Sequence, residues 1–103
     1  MQITSSAFEP EQKIPKKYSC DGQGVNPPLD IDRVPDNAQS LVLIADDPDA
    51  PGGTFNHWLV WNIDSQTDNI AENSVPKKAI EGKNSGDKSG YYPPCPPSGT
   101  HRY

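Results

Sequence analysis

Two short apolar runs, SLVLIAD at residues 40 to 46 and HWLVWNI at 57 to 63, are separated by the turn-rich loop DPDAPGGTFN. No other feature limits the fold as strongly. Each run is too short for a typical helix, is bounded by turn residues and carries β-branched Val and Ile, which favours a buried strand. The near-continuous first run predicts a strand covered on both faces. If the second run is extended, His57, Leu59, Trp61 and Ile63 share one face, and Trp58, Val60 and Asn62 the other. His57 then stands at the head of a rigid element beside a loop holding Asp47 and Asp49.

The rest of the chain reads as short strands joined by breakers. Residues 2 to 4 suit a first strand, Pro27-Pro28 leads into an extended Leu29 to Ile31, and a further short strand is expected near Lys78 to Glu81. The Gly22-x-Gly24 pair is no dinucleotide fingerprint, because a fingerprint follows a strand and opens a helix. With 12 prolines and no well-supported amphipathic helix, the class is mainly β. Apolar residues make up 32%, or about 40% with the eight glycines, below the roughly 45 to 50% of an ordinary globular chain. The 103 residues therefore read as a single, incomplete domain with a thin core.

Net charge is -5, and Arg33 and Arg102 are the chain's two arginines. Nucleic acid is an unsuitable partner, since grip on phosphates needs a basic field. No window provides the ~20 apolar residues of a membrane span, and the N-terminal residues lack the apolar centre of a secretory signal. The expected address is cytoplasmic, where Cys20 and Cys95 are expected to stay thiols.

Two clusters carry candidate chemistry. In the first, a carboxylate from Asp47 or Asp49 near the His57 imidazole would favour the charged ring and set which nitrogen bears the proton. The alternative is that the acids only close a turn onto backbone N–H groups. The second cluster is GTHRY, 99 to 103. As the start of a strand it would point His101 and Tyr103 to one face, toward His57, and Arg102 to the other, toward a structural ion pair. Ser98-Gly99 could add a small anion nest. Metal binding is disfavoured, because neither cluster has the local spacing of a metal motif. Ser98 or Cys95 with a histidine and an aspartate formally completes a catalytic triad, but no nucleophile-elbow pattern surrounds either residue. No catalytic residue and no cofactor is assigned.

In their order and spacing, YSCDGQGVNPPL, DDPDAP, HWLVWNI and GKNSGDKSGYYPPCPPSGTHRY resemble the phosphatidylethanolamine-binding protein (PEBP) family, in its bacterial and archaeal Raf kinase inhibitor-like branch. The resemblance implies a large central β-sheet packed against a smaller one, with the C-terminal part of the family fold absent after the HRY motif. It implies a small pocket for phosphate-like groups or phospholipid headgroups. The pocket residues would be Asp47, His57, His101 and Tyr103, with Pro96 or Pro97 in the wall and Asp49 supporting the loop. A non-enzymatic binding protein for a small phosphorylated or anionic ligand is the leading expectation. The alternatives are an interaction module inhibiting a kinase or peptidase and, third, a hydrolase or transferase. An unpaired strand edge leaves homo-oligomer formation open.

Overall fold

The computed structural model describes residues 1 to 95 and 101 to 103. Six strands form two antiparallel three-stranded sheets. The first runs in the order β1 (Gln2–Thr4), β2 (Leu29–Asp32), β5 (Asn69–Ile70). The second and larger runs β3 (Ser40–Asp47), β4 (Phe55–Asp64), β6 (Ile80–Glu81). A single 3-10 turn at Lys16–Tyr18 is the one helical element among the described residues. The mainly β expectation therefore stands, with two small sheets.

The core lies where the sheets face each other. Ile31 of β2 and Ile70 of β5 meet Leu41 of β3 and Trp58, Val60 and Ile63 of β4. The β3–β4 hairpin puts Leu41 opposite Ile63, Leu43 opposite Val60 and Ala45 opposite Trp58, on the inward face. The loop between them turns through Gly52 (φ 81°) and Gly53 (φ 118°), angles that side-chain-bearing residues rarely adopt.

Two details of this hairpin correct the sequence reading. First, β3 is not covered on both faces: Val42 and Ile44 are 63% and 59% exposed, alongside Trp61 and Ile80. A continuous apolar run reports only that the residues are apolar, and here β3 alternates like a one-sided strand. Second, the face assignment within β4 fails beyond Val60. The register slips between Leu41 and Leu43, so that Trp61 and Asn62 together oppose Val42 in a β-bulge, with Asn62 at φ 58°. The extra residue returns Ile63 to the inward face of Trp58 and Val60, and Ile63 is buried while Asn62 is exposed. Asparagine tolerates the left-handed region better than most residues, so the bulge sits where the sequence allows it.

The cysteine expectation is also overturned. Cys20 and Cys95 form a disulfide across a separation of 75 residues. The turn at 18 to 24 lies directly against Pro93 and Pro94: the Cys20 N–H donates to the Pro94 carbonyl at 3.1 Å, and a Cβ at Gly24 would fall 2.9 Å from the Pro93 ring. This long-range apposition brings the sulfurs together, and no local spacing signals it.

Candidate functional site

A second slip in the hairpin builds the site. Ala45 pairs with Trp58 and Asp46 with Asn56, which leaves His57 as the extra residue of a bulge near the start of β4. Bulges re-aim side chains and recur beside functional sites. Here His57 and Trp58, neighbours in sequence, are both buried, at 5% and 1% exposure. Trp58 enters the core, where its indole N–H donates to Glu81 at 2.9 Å and its ring meets Tyr91 edge-on. Burial pushes the Tyr91 phenol up, with smaller contributions from Tyr103 and Tyr18, and it donates to the Tyr18 carbonyl at 2.8 Å.

The His57 ring is held from several sides. Its Nδ1 lies 2.7 Å from the Tyr92 carbonyl oxygen, while the Tyr92 N–H donates to the His57 carbonyl at 2.8 Å. A carbonyl can only accept, so the proton is on Nδ1 and Nε2 is the nitrogen left for other partners. Phe55 packs against it at a tilt, 4.7 Å away, and Tyr103 approaches edge-on at 5.3 Å between ring centroids.

Asp47, at the end of β3, is 3% exposed, and both its oxygens are used. Oδ1 accepts the Asp49 N–H at 2.8 Å, and Oδ2 lies 2.5 Å from Nδ1 of His101. The carboxylate thus fixes the His101 tautomer as the Tyr92 carbonyl fixes that of His57, and again Nε2 remains. Asp49 does a parallel task for the next residue: its carboxylate accepts from the Arg102 backbone N–H (2.9 Å), Nε (2.9 Å) and Nη2 (2.8 Å). The Arg102 hydrogen bonds hold the Asp49 carboxyl down to about 2.

The expected partnership of Asp47 or Asp49 with His57 is therefore corrected. Asp47 serves His101, Asp49 serves Arg102, and His57 is oriented by backbone. Asp47 also closes the turn by accepting the Asp49 N–H, so for this residue the turn reading and the histidine reading hold together. Residues 101 to 103 form no strand; the two aspartates, not a ladder, position them. Arg102 makes the ion pair expected of it.

These elements enclose a cavity of about 310 Å³. Asp47, His57, His101 and Tyr103 supply its polar lining, while Ala50, Pro51, Phe55 and Tyr92 supply carbon, together with Cys95. Its volume is at the lower end of the roughly 300 to 1,000 Å³ typical of ligand pockets, which suits a small ligand. Burial pushes the Tyr103 phenol up, Asp47 adding to the effect, so the hydroxyl stays protonated at neutral pH. Of the residues named from sequence, Asp49 stands behind the cavity as a support, and Pro96 and Pro97 lie outside the described residues, as do Ser98, Gly99 and Thr100. Cys95 is half of a disulfide, which removes it as a thiol nucleophile. Sequence reasoning missed Phe55 and Tyr92. Phe55 had a signal in its i−2 spacing from His57; Tyr92 had none, because it acts through its backbone. No helix among the described residues is long and apolar enough to cross a membrane.

Comparison with known proteins places this architecture. The phosphatidylethanolamine-binding protein family model matches residues 4 to 103. A UPF0098 protein of Archaeoglobus fulgidus is 50% identical over 105 residues, covering 95% of this chain and 36% of the relative. A UPF0098 protein of Chlamydia trachomatis is 47% identical over 108 residues, covering 100% of this chain and 71% of the relative. The chain thus spans about a third of the first relative's length and about seven tenths of the second's. Among solved structures, a phosphatidylethanolamine-binding protein homologue from Chlamydia trachomatis superposes with a TM-score of 0.91 at 45% identity, over 96% of this chain and 67% of that one. Escherichia coli YbcL, described as a member of the mammalian PEBP family, gives 0.89 at 27% identity, over 97% of this chain and 70% of that one.

Proposed function

Because the chain belongs to the phosphatidylethanolamine-binding protein family, we propose that its cavity holds a small phosphate-like anion, free or as a phospholipid headgroup, without converting it chemically. One observation carries this reading. Two histidines line one small cavity with Nδ1 of each committed to a fixed acceptor, which leaves two pre-oriented Nε2 positions beside the Tyr103 phenol. A protonated ring donates from Nε2 to an anion oxygen; a neutral ring accepts from the P–OH of a monohydrogen phosphate. Asp47 does not oppose the anion strongly, because its charge is spent on His101 and on the Asp49 N–H. The overall charge of -5 is distributed over a surface where salt screens it beyond roughly 8 Å at physiological ionic strength.

Titration calorimetry with inorganic phosphate and with phosphoethanolamine tests the proposal. A hydrogen bond to a charged group contributes about 1.5 to 3 kcal/mol, so His57→Ala and His101→Ala should each weaken binding by about tenfold or more. Unchanged affinity in both variants would overturn it. Comparing inorganic phosphate with phosphatidylethanolamine vesicles separates a free anion from a headgroup. Docking of a kinase or peptidase on the same rim is the alternative, and it would appear as a pull-down competed by phosphate. Cytoplasmic placement belongs to the same proposal and is read by cell fractionation; the Cys20–Cys95 bridge weighs against it, because the cytosol keeps thiols reduced.

A further inference from the structure

The Cys20–Cys95 disulfide is not sunk in the core. Both half-cystines are exposed, and Cys95 lines the cavity that holds His57 and His101. Exposed disulfides are the ones a thiolate can reach, and reducible or regulatory bridges are drawn from them.

The bridge also holds a stretch whose other tethers, among the described residues, are few. Pro93 and Pro94 have no N–H to donate, and among the described residues the 18-to-24 turn supplies the tethers of residues 93 to 95 beside the burial of Pro94. That turn gives the Cys20 N–H bond to the Pro94 carbonyl, the close seat of the Pro93 ring on Gly24, and the disulfide itself. Immediately upstream is Tyr92, whose carbonyl sets the His57 tautomer. The covalent bridge is therefore three residues from the group that aims one of the two cavity imidazoles.

We propose that the Cys20–Cys95 disulfide is a thiol-reducible latch on this cavity: the disulfide form presents His57 for anion binding, and the dithiol form presents it poorly. The affinity part of this proposal rests on the anion-binding reading above. The reductant is a dithiol. One of its thiolates attacks a sulfur of the bridge, forming a mixed disulfide and releasing the other cysteine as thiolate. Its second thiol then attacks the mixed disulfide and expels the second cysteine. Two electrons pass from the reductant, which ends as a disulfide, and the two cysteine thiolates take up the two protons. Freed of the bridge, Pro93 to Cys95 keeps, among the described residues, one backbone hydrogen bond and ring packing on the 18-to-24 turn; Tyr92 keeps its N–H bond to the His57 carbonyl, while the aim of its own carbonyl loosens.

The test treats the native chain with dithiothreitol and follows three readouts. Alkylation by iodoacetamide, read by mass, should add two groups after reduction and none before, while near-UV circular dichroism shows the fold retained. Ring ¹⁵N signals of His57 should report Nδ1–H in the disulfide form and a mixed tautomer in the dithiol form. Phosphate affinity should fall by about fivefold or more on reduction and return on reoxidation, and by reciprocity saturating phosphate should shift the reduction equilibrium by the same factor. A Cys20→Ser/Cys95→Ser variant should behave as the reduced chain. Unchanged His57 signals overturn the latch. So does unfolding on reduction, which would make the bridge a staple for the whole fold, or resistance of the folded chain to reduction. If neither form binds phosphate, the anion reading fails, and the His57 signals still decide the latch.

Discussion

Asp47 and Asp49 differ by two positions and do different work because of what reaches each. Asp47 is buried and faces an imidazole; Asp49 faces solvent and receives a guanidinium fork and a backbone N–H. The Asp49 carboxyl sits at about 2 against an ordinary 3.8, so whatever its pair adds to folding is fully present above 3.8 and is lost as pH falls through about 2. A carboxyl ¹³C titration should place the Asp49 midpoint near 2, and Arg102→Ala should raise it toward 3.8. A midpoint unmoved by that substitution would mean the fork does not form in solution. All four residues of this double clamp stood out as chemistry-bearing side chains. Their pairing did not, since a carboxylate's partner depends on which segments fold against it and nothing in DPDAP names residues 101 and 102.

Among the elements, β4 carries most of the argument. Its apolar content made it a strand on sight, yet its two bulges decide which residues face the core and which the cavity. Bulges are single insertions of register and leave a period-2 pattern almost intact over a short run, so the pattern misassigned Ile63. The bulge at Trp61-Asn62 also lays the Trp61 ring across Gly82, where a Cβ would meet ring carbons at 2.4 and 3.1 Å. Gly82→Ala should therefore push the half-exposed indole outward at a cost of about 1 kcal/mol or less in urea unfolding. Emission from Trp61, isolated by Trp58→Phe, should shift to the red. A neutral substitution with unchanged emission would show that the ring does not rest there.

For the molecule as a whole, stability comes from a thin seam between two sheets. Val60, fully buried at 0% exposure, should cost about 2 kcal/mol on replacement by alanine. Val42, 63% exposed on the outer face of the same sheet, should change unfolding free energy by about 0.5 kcal/mol or less on replacement by threonine. Equal losses at the two sites, measured by urea titration, would contradict the one-sided burial of this sheet. The same seam explains the low apolar fraction, for few positions are covered on both sides.

By itself the sequence determined the strand class, the two strands at its centre, the absence of long helices among the described residues and a short set of polar side chains that come to line one cavity. These follow from local chemistry: β-branched runs, prolines, turn residues and the scarcity of histidine. Tertiary structure alone decided that Asp47 meets His101, that Tyr92 orients His57 through its carbonyl, and that Cys20 finds Cys95 across 75 residues. Each of those is a meeting of segments distant in sequence, and the physical reason they escape a linear reading is the same. Local propensity sets how each segment runs, whereas packing of the segments against a shared core sets which side chains come within bonding distance.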